Sequence, residues 1–250
     1  MLDTGSLSWA VTATALVLLM TPGLAFFYGG LVKAKSVVSM MMMSFGSIAL
    51  VGVLWILYGF SMSAVESPTD FSGNPFASFG LEGLGNDDLI GAAFGATFAI
   101  ITIALISGAI ADRAKFVPWT IFVAIWTTVV YLPVAHWVFA FGNKVGDVVT
   151  GAGYLAAKGV QDFAGGTAVH INAGAAGLAL AIVLGKRIGW RKESMRPHSL
   201  PLVMLGAGLL WFGWFGFNAG SALGANGIAG LAFLNTQVAA AAALIGWIFV

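Results

Sequence analysis

The chain has 250 residues, 59% hydrophobic and only 8% charged, with a formal net charge of +1 and no cysteine. A soluble domain needs far more charge to cover its surface, so this composition indicates a protein dissolved in a lipid bilayer. Disulfides and thiolate metal sites are excluded.

The first charged side chain is Asp3. A secretory signal starts with basic residues, so the first apolar segment reads as a retained membrane span. About 20 mainly apolar residues cross the hydrocarbon layer as a helix. Five stretches between ionised side chains meet that length: Thr4–Val32, Ser36–Val65, Leu89–Ala111, Phe116–Asn143 and Phe163–Gly185. A sixth, Pro197–Val250, runs 54 residues without Asp, Glu, Lys or Arg. It holds two spans, with Gly220–Gly230 (GSALGANGIAG) as the turn, so seven spans are expected. The 34 glycines fit, because small residues let membrane helices approach closely. The last span, Leu231–Val250, ends on GWIFV without a polar flank, which reads as the front portion of a longer chain.

Orientation follows from the basic residues, which stay in cytoplasmic loops. Lys33 and Lys35 follow span 1, Arg113 and Lys115 follow span 3, and Lys186, Arg187, Arg191, Lys192 and Arg196 follow span 5. Only Lys144 and Lys158 fall opposite, so the N-terminus is expected outside. The outer segment Glu66–Asp88 carries Pro68, Pro75 and five acidic residues, and is expected as ordered loop. Its acidity would modestly concentrate cations near an outer mouth.

Polar side chains inside a span are costly and mark bundle interiors or cavities. The candidates are Asp162, His170, Asn172, Asn218, Ser221 and, nearer an end, His136. Asp162 opens span 5. It reads as a helix N-cap, as a fixed negative charge near an outer vestibule, or as both. His170 lies eight residues on, roughly 12 Å down an unbroken helix. An imidazolium at that depth is disfavoured by desolvation, so a neutral ring is expected. It would either bond a neighbouring helix or line a path for a small polar solute.

Phe94 and Phe98 stand one turn apart on span 3, and Trp211, Trp214, Phe215 and Phe217 crowd span 6. Such rings serve as packing or interfacial anchors, or converge to hold a small cation. His136 reads as interfacial packing, His198 as part of a cytoplasmic helix start, and Met40–Met43 as lipid-facing or packing surface. No metal-ligand spacing, nucleophile–base pair or phosphate-binding loop is present, so neither an enzyme nor a cofactor is indicated.

At these residues the sequence resembles the ammonium transporter (Amt/Mep/Rh) family, over essentially the whole chain. The strongest stretch is Asp162–Gly174 (DFAGGTAVHINAG). Pro22–Gly30 (PGLAFFYGG), Tyr131–His136 (YLPVAH), Gly185–Arg187 (GKR) and Gly213–Ser221 (GWFGFNAGS) support it in the right order. The resemblance implies an all-α polytopic bundle of eleven spans, built from two inverted five-span repeats plus one helix. It also implies a homotrimer with one pore per subunit, in the cell (inner) membrane. This chain would be one transmembrane domain holding the first repeat, about 4–185, and the start of the second, about 197–250. Sites of inverted repeats lie at the repeat interface near the midplane.

Carried over residue by residue, the resemblance makes Phe98 and Phe217 a stacked pore gate and His170 the first of two pore histidines. Ser221, Phe98, Phe139, the Ala164 backbone and Asp162 would form or adjoin an outer ammonium recruitment site. Two departures stand out. Phe139 occupies a position where the family often has tryptophan, with Trp137 two residues earlier, and Phe is the poorer cation–π face. The second pore histidine would fall beyond Val250.

The function implied is ammonium recruitment outside, loss of a proton, and conduction of ammonia past imidazole. Rival readings are a neutral gas channel of the Rh type and an ammonium sensor. In the sensor reading, the basic loop Lys186–Arg196 would contact a cytoplasmic partner such as a PII-type signalling protein. The same loop serves topology alone in the plainer reading.

Overall fold

The structure is a computed structural model that describes residues 2–64, 69, 71–145 and 148–250. Seven helices in it are long and apolar enough to cross a membrane: α1 Thr4–Leu31, α2 Ala34–Ala64, α3 Asn86–Ile110, α4 Phe116–Phe139, α5 Gly166–Leu184, α6 Leu200–Gly220 and α7 Gly227–Ile248. They match the seven expected spans, with shifted ends. Val65 and Glu66, where the second stretch was expected to give way to loop, lie outside the described residues.

The end shifts have local causes. Helix α3 begins at Asn86 rather than Leu89, so Asp87 and Asp88 sit in its first turn. Carboxylates there complement the positive end of the helix dipole. Helix α4 stops at Phe139, and a short antiparallel hairpin follows, β1 Asn143–Val145 against β2 Val148–Thr150. The turn between α6 and α7 is shorter than GSALGANGIAG. Asn226 caps α7 by accepting from the Ala229 amide at 3.0 Å, and the helix takes up Gly227 and Gly230. Asp3 caps α1 likewise through the Ser6 amide.

Three spans carry a π-turn: Trp55–Gly59 in α2, Thr127–Tyr131 in α4 and Gly166–Ile171 in α5. Such wide turns interrupt α-helices mostly at functional places. The first two touch through Tyr58, whose hydroxyl lies 2.7 Å from that of Thr128.

Helices α1 and α6 run antiparallel and meet almost backbone to backbone. A Cβ on Gly213 would come 2.6 Å from the Leu16 carbonyl oxygen, and one on Gly216 2.7 Å from that of Ala13. The seam is pinned at both ends. Trp9 Nε1 donates to the Ala219 carbonyl, and the Ser199 amide donates to the Gly30 carbonyl.

The basic loops gather at one end of the bundle. Lys33 pairs with Glu193 at 2.7 Å, Arg187 pairs with Asp112, and Arg113 donates to the carbonyls of Gly185 and Ala109. The Asp112 carboxyl is partly desolvated, yet Ser36 and Arg187 hold it below the usual carboxylate range. His198 contacts the Val32 carbonyl oxygen through Nδ1 at 2.9 Å, in keeping with its expected place at a helix start. Met40 and Met43 are buried packing residues and Met42 is exposed.

Candidate transport site

At the end opposite the basic loops, three spans and the segments flanking α5 and α6 leave a cavity of about 220 Å³. Its wall includes Ser63 at the end of α2, Phe94 and Phe98 on α3, Phe139 at the end of α4, Asp162 before α5, and Ser221 just past α6. Phe98, Phe139, Asp162 and Ser221, four of the five recruitment residues named from sequence, therefore meet in one place. Ala164 is not in the wall; it packs against the cluster containing Phe98 and Phe217.

The ring geometry is specific. Phe139 stands edge-on to Phe98, at 85° and 6.3 Å between centroids, while Phe94 lies at 54° and 4.9 Å. Three rings in three orientations make a corner, an arrangement that favours a cation over flat stacking. Phe98 is stacked on Phe217 at 4.4 Å and 8°. Both rings are buried, and they close the inner end of the cavity.

Asp162 caps helix α5 from outside it. Oδ2 accepts from the amides of Thr167 and Ala168 at 2.9 and 3.0 Å, while Oδ1 is buried with no protein hydrogen-bond partner. Both sequence readings of this residue, cap and vestibule charge, thus apply to one side chain. The cap works across a break, because Gly165 at φ +82° separates Asp162 from the helix. A side chain at that φ is strained, and a Cβ there would also lie 2.6 Å from Val169.

That break corrects the depth assigned to His170. The eight residues from Asp162 do not form a continuous helix; α5 starts at Gly166, and His170 is the fifth residue of its π-turn. The imidazole stacks on Trp214 at 5.7 Å and 6°, and meets Phe217 at 5.8 Å. Among the described residues its ring nitrogens make no hydrogen bond. The residue is exposed on its remaining side rather than fully buried.

From the cavity inward the order is Phe98, Phe217, His170. Of the other rings of span 6, Trp214 joins them, 5.7 Å from both His170 and Phe217, whereas Phe215 and Trp211 do not. Phe215 stacks on Phe233 of α7 at 4.2 Å, and Trp211 lines a cleft between α6 and α7. Asn218 donates to Thr236 at 2.9 Å, and Asn172 is buried on α5. His136, expected at an interface, is completely buried. Trp137 turns away from the cavity. Its indole donates to the Phe71 carbonyl at 2.9 Å and its ring packs edge-on against Phe71 and Tyr154, so it does not replace the ring at Phe139.

Sequence reasoning missed Trp55 and Tyr131, which also line the cavity. Trp55 is held by a 2.8 Å bond from Nε1 to the Ala92 carbonyl and lies over Gly95, where a Cβ would come within 2.7 Å of its ring. The missing side chain at Gly95 was the available signal.

These features define a polytopic α-helical membrane protein with an aromatic-walled cavity at one end. A sequence profile described as the Ammonium Transporter Family matches residues 8–250. The chain is 52% identical to an ammonium transporter of Mycobacterium tuberculosis, over 98% of its own length and 56% of the relative's. It is 49% identical to one from Aquifex aeolicus, over 99% and 57%. Among solved structures, Candida albicans Mep2 superposes with a TM-score of 0.83 at 31% identity, covering 96% of this chain and 53% of that one. A "Sensor Amt Protein" superposes with a TM-score of 0.87 at 29% identity, covering 98% and 61%. The chain belongs to the ammonium transporter family, and it spans a little over half the length of the curated relatives it matches.

Proposed function

We propose that the chain carries ammonium across the cell membrane, taking up the cation at the aromatic cavity and passing neutral ammonia beside His170. The observation that carries this reading is the sequence of groups along one line: aromatic corner with Asp162, then the Phe98–Phe217 stack, then the imidazole. Ring faces and a carboxylate attract a cation that has left water. The Ser221 hydroxyl donates to the Phe217 carbonyl at 2.8 Å, so its oxygen lone pairs remain to accept from ammonium N–H groups.

Closed aromatic packing beyond the cavity makes a bare charge expensive, so a proton leaves before or during passage. Ammonia then exchanges hydrogen bonds with imidazole nitrogens that no protein group occupies. Potassium is excluded because it has no proton to shed. Within this reading the basic end faces the cytoplasm and the N-terminus lies outside, in the inner membrane of the cell. Residues 4–185 form a first five-span repeat, and residues from about 197 start the inverted second. The close antiparallel seam of α1 and α6 supports that pairing. The protein assembles as a homotrimer.

The decisive variant is His170→Ala in proteoliposomes. Selective ammonium uptake is expected to disappear, and because the ring's contacts are with the Trp214 and Phe217 side chains its removal leaves the fold standing. Normal uptake by this variant defeats the pore assignment.

A second reading is a sensor, favoured by the superposition on the Sensor Amt Protein. Ammonium occupancy would then be passed to a PII-type protein through the basic loop, residues 186–196. Ammonium-dependent binding of such a partner without any flux would select the sensor over the transporter.

A further inference from the structure

The cavity is larger than its proposed cargo needs. It holds about 220 Å³, several times the roughly 30 Å³ that one water, a molecule of ammonium's size, occupies in the liquid. Its floor and its rim also differ. Phe98, Trp55 and Tyr131 are almost fully buried, whereas Phe141 and Phe163 at the mouth are 64% and 52% exposed. The wall is therefore a funnel of rings, open at one end and closed at the other by the Phe98–Phe217 stack. Asp162 is the one carboxylate among the described residues of that wall, and its Oδ1 has no hydrogen-bond partner among them.

A cage of aromatic faces with one carboxylate suits a cation that needs no hydrogen bonds. Quaternary ammonium groups are the class held in this way, by ring quadrupoles and dispersion over several faces. Ammonium leaves much of this volume empty, and the bulk of a tetraalkylated cation fills more of it.

We propose that the outer cavity is a binding site for small quaternary ammonium ions, which occupy it and block it without passing. The proposal rests on the reading of this cavity as an outer cation site. A quaternary nitrogen carries no proton, so it cannot become the neutral species that the narrow segment admits. It stays above Phe98. Phe141 and Phe163 form the rim that this larger ligand meets, so they set which cations block.

The test uses tetramethylammonium chloride with sodium chloride as the control. Calorimetric titration of the purified chain should give a saturable isotherm with tetramethylammonium and none with sodium. The double variant Phe141→Ala/Phe163→Ala, altered only at exposed rim positions, should weaken tetramethylammonium binding about tenfold. In proteoliposomes tetramethylammonium should compete with ammonium and remain outside. Absence of binding above the sodium control overturns the proposal, as does a double variant that binds like the parent. Accumulation of tetramethylammonium inside the vesicles overturns the block. Tetramethylammonium binding by a chain that moves no ammonium would instead sink the transport reading and leave the cage standing.

Discussion

Helix α6 packs against two neighbours in different ways. Toward α1 it offers Gly206, Gly213 and Gly216, each of which lies so close to a carbonyl of α1 that no Cβ fits. Toward α7 it offers side chains, the Phe215–Phe233 ring pair and the Asn218–Thr236 hydrogen bond. In lipid there is little hydrophobic drive between helices, so close backbone approach and its dispersion and Cα–H···O contacts replace it. The glycine seam cannot yield, because its neighbours are backbone atoms. The side-chain contact can, because rotamers can adjust. Phe217, the inner half of the aromatic stack, is on the same helix as the seam and inherits its rigidity.

Substitutions on the two faces should separate them. Gly206→Leu places a side chain against the Phe27 amide and within 2.6 Å of the Gly23 carbonyl oxygen. Overpacking usually costs about 1–3 kcal/mol, and more where only backbone can move. The variant is expected to lose its monodisperse peak in size-exclusion chromatography. A well-folded Gly206→Leu protein would mean that the seam is no tighter than the other face.

Phe233→Ala removes one ring of the stacked pair and should lower thermal stability by about 1 kcal/mol without loss of fold. A collapse as complete as that of the glycine variant would erase the contrast. Thr236→Val removes the acceptor for Asn218 together with the hydroxyl's own bond to the Ala232 carbonyl within α7. Interhelical hydrogen bonds in membranes average about 0.6 kcal/mol, so the melting temperature should move by a degree or two at most. A larger drop would show that this polar pair, and not the rings, holds α7 to α6.

The spans were legible because apolar runs between charges are long and unambiguous. Asp162, Ser221, Phe98 and Phe139 were legible as a group only through the motifs of the family resemblance; nothing in their spacing brings four different chain segments together. The start of α5 was misread because a left-handed glycine, Gly165, interrupts what looks like continuous helix. Phe139 lines the cavity wall, but the fate of Trp137 could not be read. Its indole bonds a loop residue, Phe71, 66 positions away. Trp55 and Tyr131 were missed for a related reason. Each sits in or beside a wide turn, and hydropathy carries no trace of a turn's pitch.

Those wide turns have a consequence for how the spans tolerate changes in length. In an α-helix each residue advances the ring of side chains by about 100°. A π-turn absorbs one surplus residue, so the halves of α2 and α4 on either side of it are set at different phases. Each half can then aim its own residues, the inner half at the packed core and the outer half at the vestibule. Losing a single residue from Thr127–Tyr131 would let α4 rewind into a regular coil, swinging Phe139 and the whole outer half away from the mouth. The aim of the vestibule is thus recorded in a count of residues as much as in their identities.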